Sequence, residues 1–412
     1  MTNDSKLDGV RRARSELIRN GRWKEADLPE GEPERAAGAR VAVLDALRAA
    51  HRGTGRTEAA DTARHVLRSV DSLDVGTFWR AVLVLTHADE VTTAHRHWAC
   101  SAHRYGRDVH DVLGARIMLR RRNPCAAARL LDCALGRGVR PRLRVVATAW
   151  LVQALVETGE LRRARVVLED RGPAGGHPDE AELLFASGRL LFAEGRAVAA
   201  LDELLGCGQR LARSGVVNPA VLPWRSAAAL AATAAEDHVL ARICADKDLV
   251  AARRWGAPRA AGLALHAGAL ARGGDDVRLE EALAHLDLAA TADEVLRARH
   301  DLAQLLLARG EVGRAREHTR SLREAAAAAC CPQWTSEAED LTCRLLRNDG
   351  ESALSDQQRR VARLARAGKS NREIAAELHL TLRTVEFHLT AVYRKMGVAG
   401  RPGLRRAYVP SA

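Results

Sequence analysis

The stretch LSDQQRRVARLARAGKSNREIAAELHLTLRTVEFHLTAVYRKMGV, Leu354–Val398, decides how this 412-residue chain is read. Three helices and their stops are legible in it. Ser355 is placed to cap the first, Gln358 three positions on completes a capping box, and Gly368 ends the helix. Ser370 and Glu373 repeat the device for a second helix. Only His379 and Leu380 separate that helix from Thr381, a third N-cap. Apolar residues recur at helical spacing and predict one inner face. They are Val361 and Leu364, then Ile374, Ala375 and Leu378, then Val385, Leu389, Val392 and Met396. A short helix, a tight turn and a longer helix (~22 Å from Leu382 to Met396 at 1.5 Å per residue) predict a helix-turn-helix.

With that face inward, Arg383, Glu386, Phe387, Thr390 and Arg394 point outward. An exposed Phe387 on a basic helix suits contact with a thymine methyl, and Glu386 suits a cytosine amino group. Lys369, Ser370, Asn371, Thr381 and Thr384 stand at helix N-termini, where amides and hydroxyls meet phosphate. Arg394, Lys395 and Arg401 add salt-dependent attraction. Double-stranded DNA is the partner this pattern predicts.

The charge balance agrees. The chain carries a formal +12. From Glu351 to Ala412 there are 12 Lys/Arg against 5 Asp/Glu, or +7, which leaves +5 for the other 350 residues. A basic end on a nearly balanced body is the footprint of a segment that meets a polyanion.

Ahead of this end the composition is 47% hydrophobic but only 3% aromatic, and rich in strong helix formers, which predicts an all-α chain. A turn residue followed five positions later by Ala recurs through the first 345 residues. The copies are Gly55/Ala60, Asp89/Ala94, Asn123/Ala128, Gly159/Ala164, Gly195/Ala200, Glu236/Ala241 and Gly310/Ala315, with a less regular one at Gly273–Gly274 and Ala282. Turns fall 34 to 41 residues apart. The turn residue ends one helix where a positive φ is needed, and the Ala lets the next helix pack close. Such hairpins bury their apolar faces only by stacking, which predicts an α-solenoid with a long concave groove. Period and Gly/Ala placement resemble the tetratricopeptide repeat. The expected organisation is a helical-repeat region over 1–345, a polar linker over 346–352 and the DNA-binding domain over 353–412.

Leu354–Val398 resembles the LuxR/FixJ-type helix-turn-helix. The resemblance rests on Leu354-Ser355, Gly368, Ser370 to Ala375, Leu378, Thr384-Val385, His388-Leu389, Lys395 to Val398 and Arg401. Asn218–Ala232 and Ala251–Gly274 are also similar to the helical region that precedes this motif in large ATP-binding regulators of the LuxR family. The resemblance implies a transcription factor, usually an activator, that binds promoters as a homodimer. It places Thr384, Glu386, Phe387 and Thr390 where the family reads bases, and Ser370, Asn371 and Lys395 where it grips the backbone. Departures are Gln357-Gln358 where the family often has Arg-Glu, and Gly400 in place of a Ser or Thr cap. Gly403, after Pro402, weakens a short last helix and with it dimerisation.

No NTPase or phosphoacceptor domain is expected. Gly368-Lys369-Ser370 is not a P-loop, because Arg363 stands where its first Gly belongs. No cofactor, metal or catalytic residue is expected either. His95, His97, Cys100, His103 and His110 have no partner cluster, and Cys330-Cys331 read as inert thiols. The N-terminus lacks a secretory h-region, no apolar run spans a membrane, and the scattered cysteines suit a reducing compartment. The expected setting is the cytoplasm, at the nucleoid. Two readings follow: a sequence-specific regulator whose repeats receive a protein or ligand signal, and a helical-repeat adaptor whose basic end binds DNA non-specifically.

Overall fold

The computed structural model describes residues 33–69, 73–101, 104–170, 179–289, 291–329, 331–352, 354–396 and 398–406. The N-terminal stretch, His103 and Cys330 lie outside them. Every described element is a helix. The chain folds as two compact units, residues 1–298 with 325–333, and residues 299–324 with 334–412.

The first unit is a series of helix pairs. They are α1 (Pro33–Arg52) and α2 (Arg56–Ser69), α3 (Val75–His87) and α4 (Val91–Ala99), and α5 (Arg107–Arg120) and α6 (Pro124–Gly136). There follow α7 (Pro141–Glu157) and α8 (Leu161–Glu169), α9 (Glu180–Ala193) and α10 (Ala197–Arg213), and α11 (Trp224–Ala234) and α12 (His238–Trp255). Then come α13 (Pro258–Leu270) and α14 (Asp276–Ala289); of the next two helices, α15 (Ala292–Ala308) and α16 (Val312–Ala328), only residues 292–298 and 325–328 belong to this unit. The turns have the left-handed backbone that the repeat signature demands, at Gly55, Asp89, Gly159, Gly195, Glu236, Gly273 and Gly310. In the third pair that residue is Arg122 rather than Asn123. Asn123 instead caps α6, its side chain accepting from the Ala126 amide at 3.0 Å. The Ala of each of the eight copies is buried. The close crossing is visible at Gly188, where a Cβ would lie 2.6 Å from Leu204 of the paired helix.

Early pairs of this unit fold back onto late ones. The amides of Val217 and Asn218 donate to the His51 carbonyl, at 2.9 and 3.1 Å. Trp255 Nε1 donates to His87 O at 2.8 Å, and Arg122 donates to Asp287 O at 2.7 Å. Asp89, a turn residue, accepts from the Arg259 amide at the start of α13 and from buried Arg120. Two ion pairs, Arg120–Asp89 and Arg259–Glu294, are buried among these helices, and a third, Arg189–Asp293, is buried on its acidic side.

The second unit contains residues 299–324 of α15 and α16 and α17 (Pro332–Ser352) from Trp334 onward, then α18 (Asp356–Arg366), α19 (Asn371–Leu378), α20 (Leu382–Lys395) and α21 (Gly400–Arg406). The backbone is helical through Ser352, where a polar linker was expected. Asn348-Asp349-Gly350 contains no Pro, so nothing there obliges the helix to stop.

Candidate nucleic-acid interface

Caps set the frame of the last four helices. Ser355 and Gln358 form one capping box, Ser370 and Glu373 another, and Thr381 accepts from the Thr384 amide at 3.2 Å. The Ser370 hydroxyl and amide both donate to Glu373, and these bonds hold its carboxyl below the ordinary value. The turn between α19 and α20 passes through His379, whose φ of 54° supplies the left-handed step. Ser370→Ala is expected to cost about 1 kcal/mol locally. Amide exchange of residues 371–378 in the full chain would then run roughly fivefold faster, since RT is about 0.6 kcal/mol. Unchanged protection would mean that the cap contributes nothing.

Val361, Leu364, Ile374, Ala375, Val385, Leu389, Val392 and Met396 are all buried in one cluster, with Leu354 and Leu404. Leu378 is half-buried at its edge. This core orients α20 so that Arg383, Glu386, Phe387, Thr390 and Arg394 are exposed along its length. Phe387 is 70% exposed, a large apolar ring standing outside the core. Thr384 is half-buried, its hydroxyl 2.7 Å from that of Thr381, so both sit together at the start of the helix.

The expected phosphate-facing residues divide into two groups. Ser370 and Thr381 are exposed at helix N-termini. Others are engaged within the domain. Arg401 of α21 donates to Lys369 O and to Asn371 Oδ1, so the guanidinium ties the last helix to the start of α19. Lys369 pairs with Glu377. Lys395 Nζ donates to Gln358 Oε1 at 2.8 Å, which joins the end of α20 to α18. Gln358 thus does more than complete a capping box. That tie spans 37 residues and has no local signature.

Residues 352–407 match the family described as bacterial regulatory proteins, luxR family. This segment is a luxR-family helix-turn-helix domain. Two curated relatives, provisionally named HTH-type transcriptional regulators, come from Mycobacterium bovis and Mycobacterium tuberculosis. Each is 46% identical over 52 residues. The match covers 13% of this chain and only 6% of theirs. Ahead of the luxR domain the likeness is one of fold. The crystal structure of a Rap protein complexed with competence and sporulation factor superposes with a TM-score of 0.52 at 12% identity, covering 81% of this chain and 94% of that one. Tetratricopeptide-like helical repeats followed by a luxR domain describe the architecture.

Outside the luxR domain the histidine-rich stretch packs around Trp98, with His110 stacked on it and His95 tilted against it, ring centroids 4.6 and 5.4 Å away. Among the described residues no group of three His, Cys, Asp or Glu side chains is placed to hold a metal ion. No described helix is long and apolar enough to cross a membrane.

Proposed function

We propose that the chain is a sequence-specific DNA-binding transcriptional regulator, acting at promoters in the nucleoid, whose helical repeats receive a protein or ligand signal. The observation that carries the reading is the exposed edge of α20 within a luxR domain. An aromatic ring at Phe387 is flanked there by Arg383, Glu386, Thr390 and Arg394. In this reading Arg383, Thr384, Glu386, Phe387, Thr390 and Arg394 meet base edges. Ser370, Thr381, Lys369, Asn371 and Lys395 line the phosphates. Arg401 acts on DNA through its hold on Lys369 and Asn371, a change from the direct phosphate contact that the sequence suggests. Activation and a homodimer formed through α21 belong to the same proposal. A signal received by the repeats accords with a fold shared with a protein whose structure holds a bound factor.

Selection of bound duplexes from a random pool with the full chain is the test, followed by the same assay on Arg383→Ala and Thr390→Ala. Each is expected to weaken the selected site about 10- to 100-fold, as loss of a base contact worth about 1–3 kcal/mol requires, while binding to bulk DNA changes little. Salt-dependent binding with no selected sequence would replace this reading with the adaptor.

A further inference from the structure

Apart from the exposed edge of α20, the luxR domain carries a second basic surface. A groove of about 700 Å3, partly open to solvent, runs along α18. Its size is that of a binding cleft, roughly 300–1,000 Å3. Leu354 and Ala362, nearly buried, form the floor, and Arg359, Arg360, Arg363 and Arg366 form the walls. Asp356 is the one acid among these lining residues.

The four arginines are not equivalent. Arg359 donates to Asp356 Oδ1 at 3.0 Å and to the Leu354 carbonyl at 3.1 Å, which fixes one rim. Arg366 is turned toward the Met396 sulfur, 3.7 Å away. Arg360 and Arg363 are exposed, and among the described residues their guanidiniums have no hydrogen bond or ion pair. They stand three residues apart, ~4.5 Å along the helix. Like charges at that spacing repel, so a carboxylate set against both relieves a strain that nothing within the domain relieves. The groove also faces away from the reading edge. Val361, Leu364 and Ala365 turn the other side of α18 into the core shared with Val385, Leu389 and Val392 of α20. The exposed edge of α20 lies beyond that core, roughly 20 Å or two helix diameters off. A duplex seated on the edge leaves Arg360 and Arg363 uncovered.

We infer that this groove docks an acidic helical segment of a partner protein, with two carboxylates one turn apart pairing with Arg360 and Arg363. Charge complementarity selects the occupant. Each guanidinium fork matches a carboxylate bidentately, and acids three or four residues apart share one helix face as the two arginines do. The arginine stems, with Leu354 and Ala362 beneath, receive an apolar side chain between the acids. This contact goes beyond the regulator reading and is independent of how the chain chooses DNA.

Two labelled peptides, titrated into the full chain by fluorescence anisotropy, make the test: two repeats of Glu-Ala-Leu-Glu-Ala-Ala-Leu, and the same repeats with Gln for Glu. The acidic peptide is expected to bind roughly tenfold tighter than its neutral twin, and to lose about tenfold when Arg360→Gln and Arg363→Gln are combined. Both side chains are exposed and unpartnered, so that variant keeps the fold, which thermal unfolding checks. Arg383→Gln with Arg394→Gln removes the same charge from α20 and should change peptide binding less than about twofold. Duplex affinity is measured on the same proteins and should stay within about twofold in the α18 variant. Equal binding of the two peptides, no binding of either, or equal losses in both variants overturns the inference. A loss of duplex affinity in the α18 variant as large as in the α20 variant overturns it too, and gives the groove to DNA. Sedimentation covers the last occupant: a dimer that dissociates only in the α18 variant replaces the partner protein with a second copy of this chain.

Discussion

Arg259→Ala is expected to destabilise the first unit by about 3–5 kcal/mol, the cost of breaking a buried ion pair from one side. Arg259 and Glu294 side chains are 8% and 4% exposed, and the guanidinium grips both carboxylate oxygens. Burial by itself would raise the Glu294 carboxyl. The charge and hydrogen bonds of Arg259, helped by Arg120, overrule it and hold the group down to about 2. Without Arg259 the buried anion must either remain uncompensated or take up a proton. Urea unfolding of the two proteins measures the loss. The partner experiment is Arg259→Met with Glu294→Leu, which removes both charges and should recover much of the stability. A single substitution costing under about 1 kcal/mol would show that water reaches the pair, and the buried-network description would fail.

The second large effect concerns pH. Glu157, buried beside the Asp293 charge, keeps its proton in the folded chain up to about pH 8 but ionises near 4.5 once unfolded. An acid raised in this way takes up a proton on folding between those values. Its contribution to stability is complete below about pH 4.5, declines as pH rises through the interval, and is gone above about 8. Asp248 acts in the same sense lower down, raised from 3.8 to about 6 by burial against the pull of Ser226 and Arg225. Glu294 has the opposite sign, losing its contribution only as pH falls through about 2. Glu157→Gln preserves the shape and has no proton to lose. Stability of the wild type should therefore fall by a few kcal/mol between pH 6 and 9, while the variant's curve stays flatter, so that the variant is the more stable at pH 9. Parallel pH curves would mean that Glu157 is already ionised at neutral pH, contrary to its environment.

Much of the architecture was open to reading because it is encoded locally. A left-handed turn followed by a small residue is a short-range instruction, and it places eight helix pairs at the intervals the residues announce. Reading Asn123 as the turn residue misplaced it by one, since Asn serves equally in a left-handed turn and as a cap, and the cap won. The luxR domain was still more transparent, because Ser355, Ser370 and Thr381 each specify a helix start independently of the rest. What stayed hidden is long-range. Arg116, Arg120, Arg259 and Asp293 look like ordinary surface charges in a list of residues, and only the folding back of early pairs onto late ones buries them. One signal was available. Glu157 closes a helix that is apolar over Val145–Val156 except for Thr148 and Gln153, so little polar surface was left to keep it in water. The hold of Arg401 on Lys369 and Asn371 had no such hint, since a basic residue beside a DNA-binding helix is ordinarily assigned to phosphate.

The contacts between early and late pairs impose an order of events on biosynthesis. Asp89 leaves the ribosome 170 residues before the Arg259 amide that it will accept from. At roughly 5–20 residues per second, that is a wait on the order of 10–35 seconds. Through that interval the first three hairpins leave uncovered the apolar flank that later meets Ala252, Trp255 and Ala257, and Asp89 has Arg120 but not yet the Arg259 amide, so a nascent chain stalled before α13 is the form most exposed to proteases and chaperones.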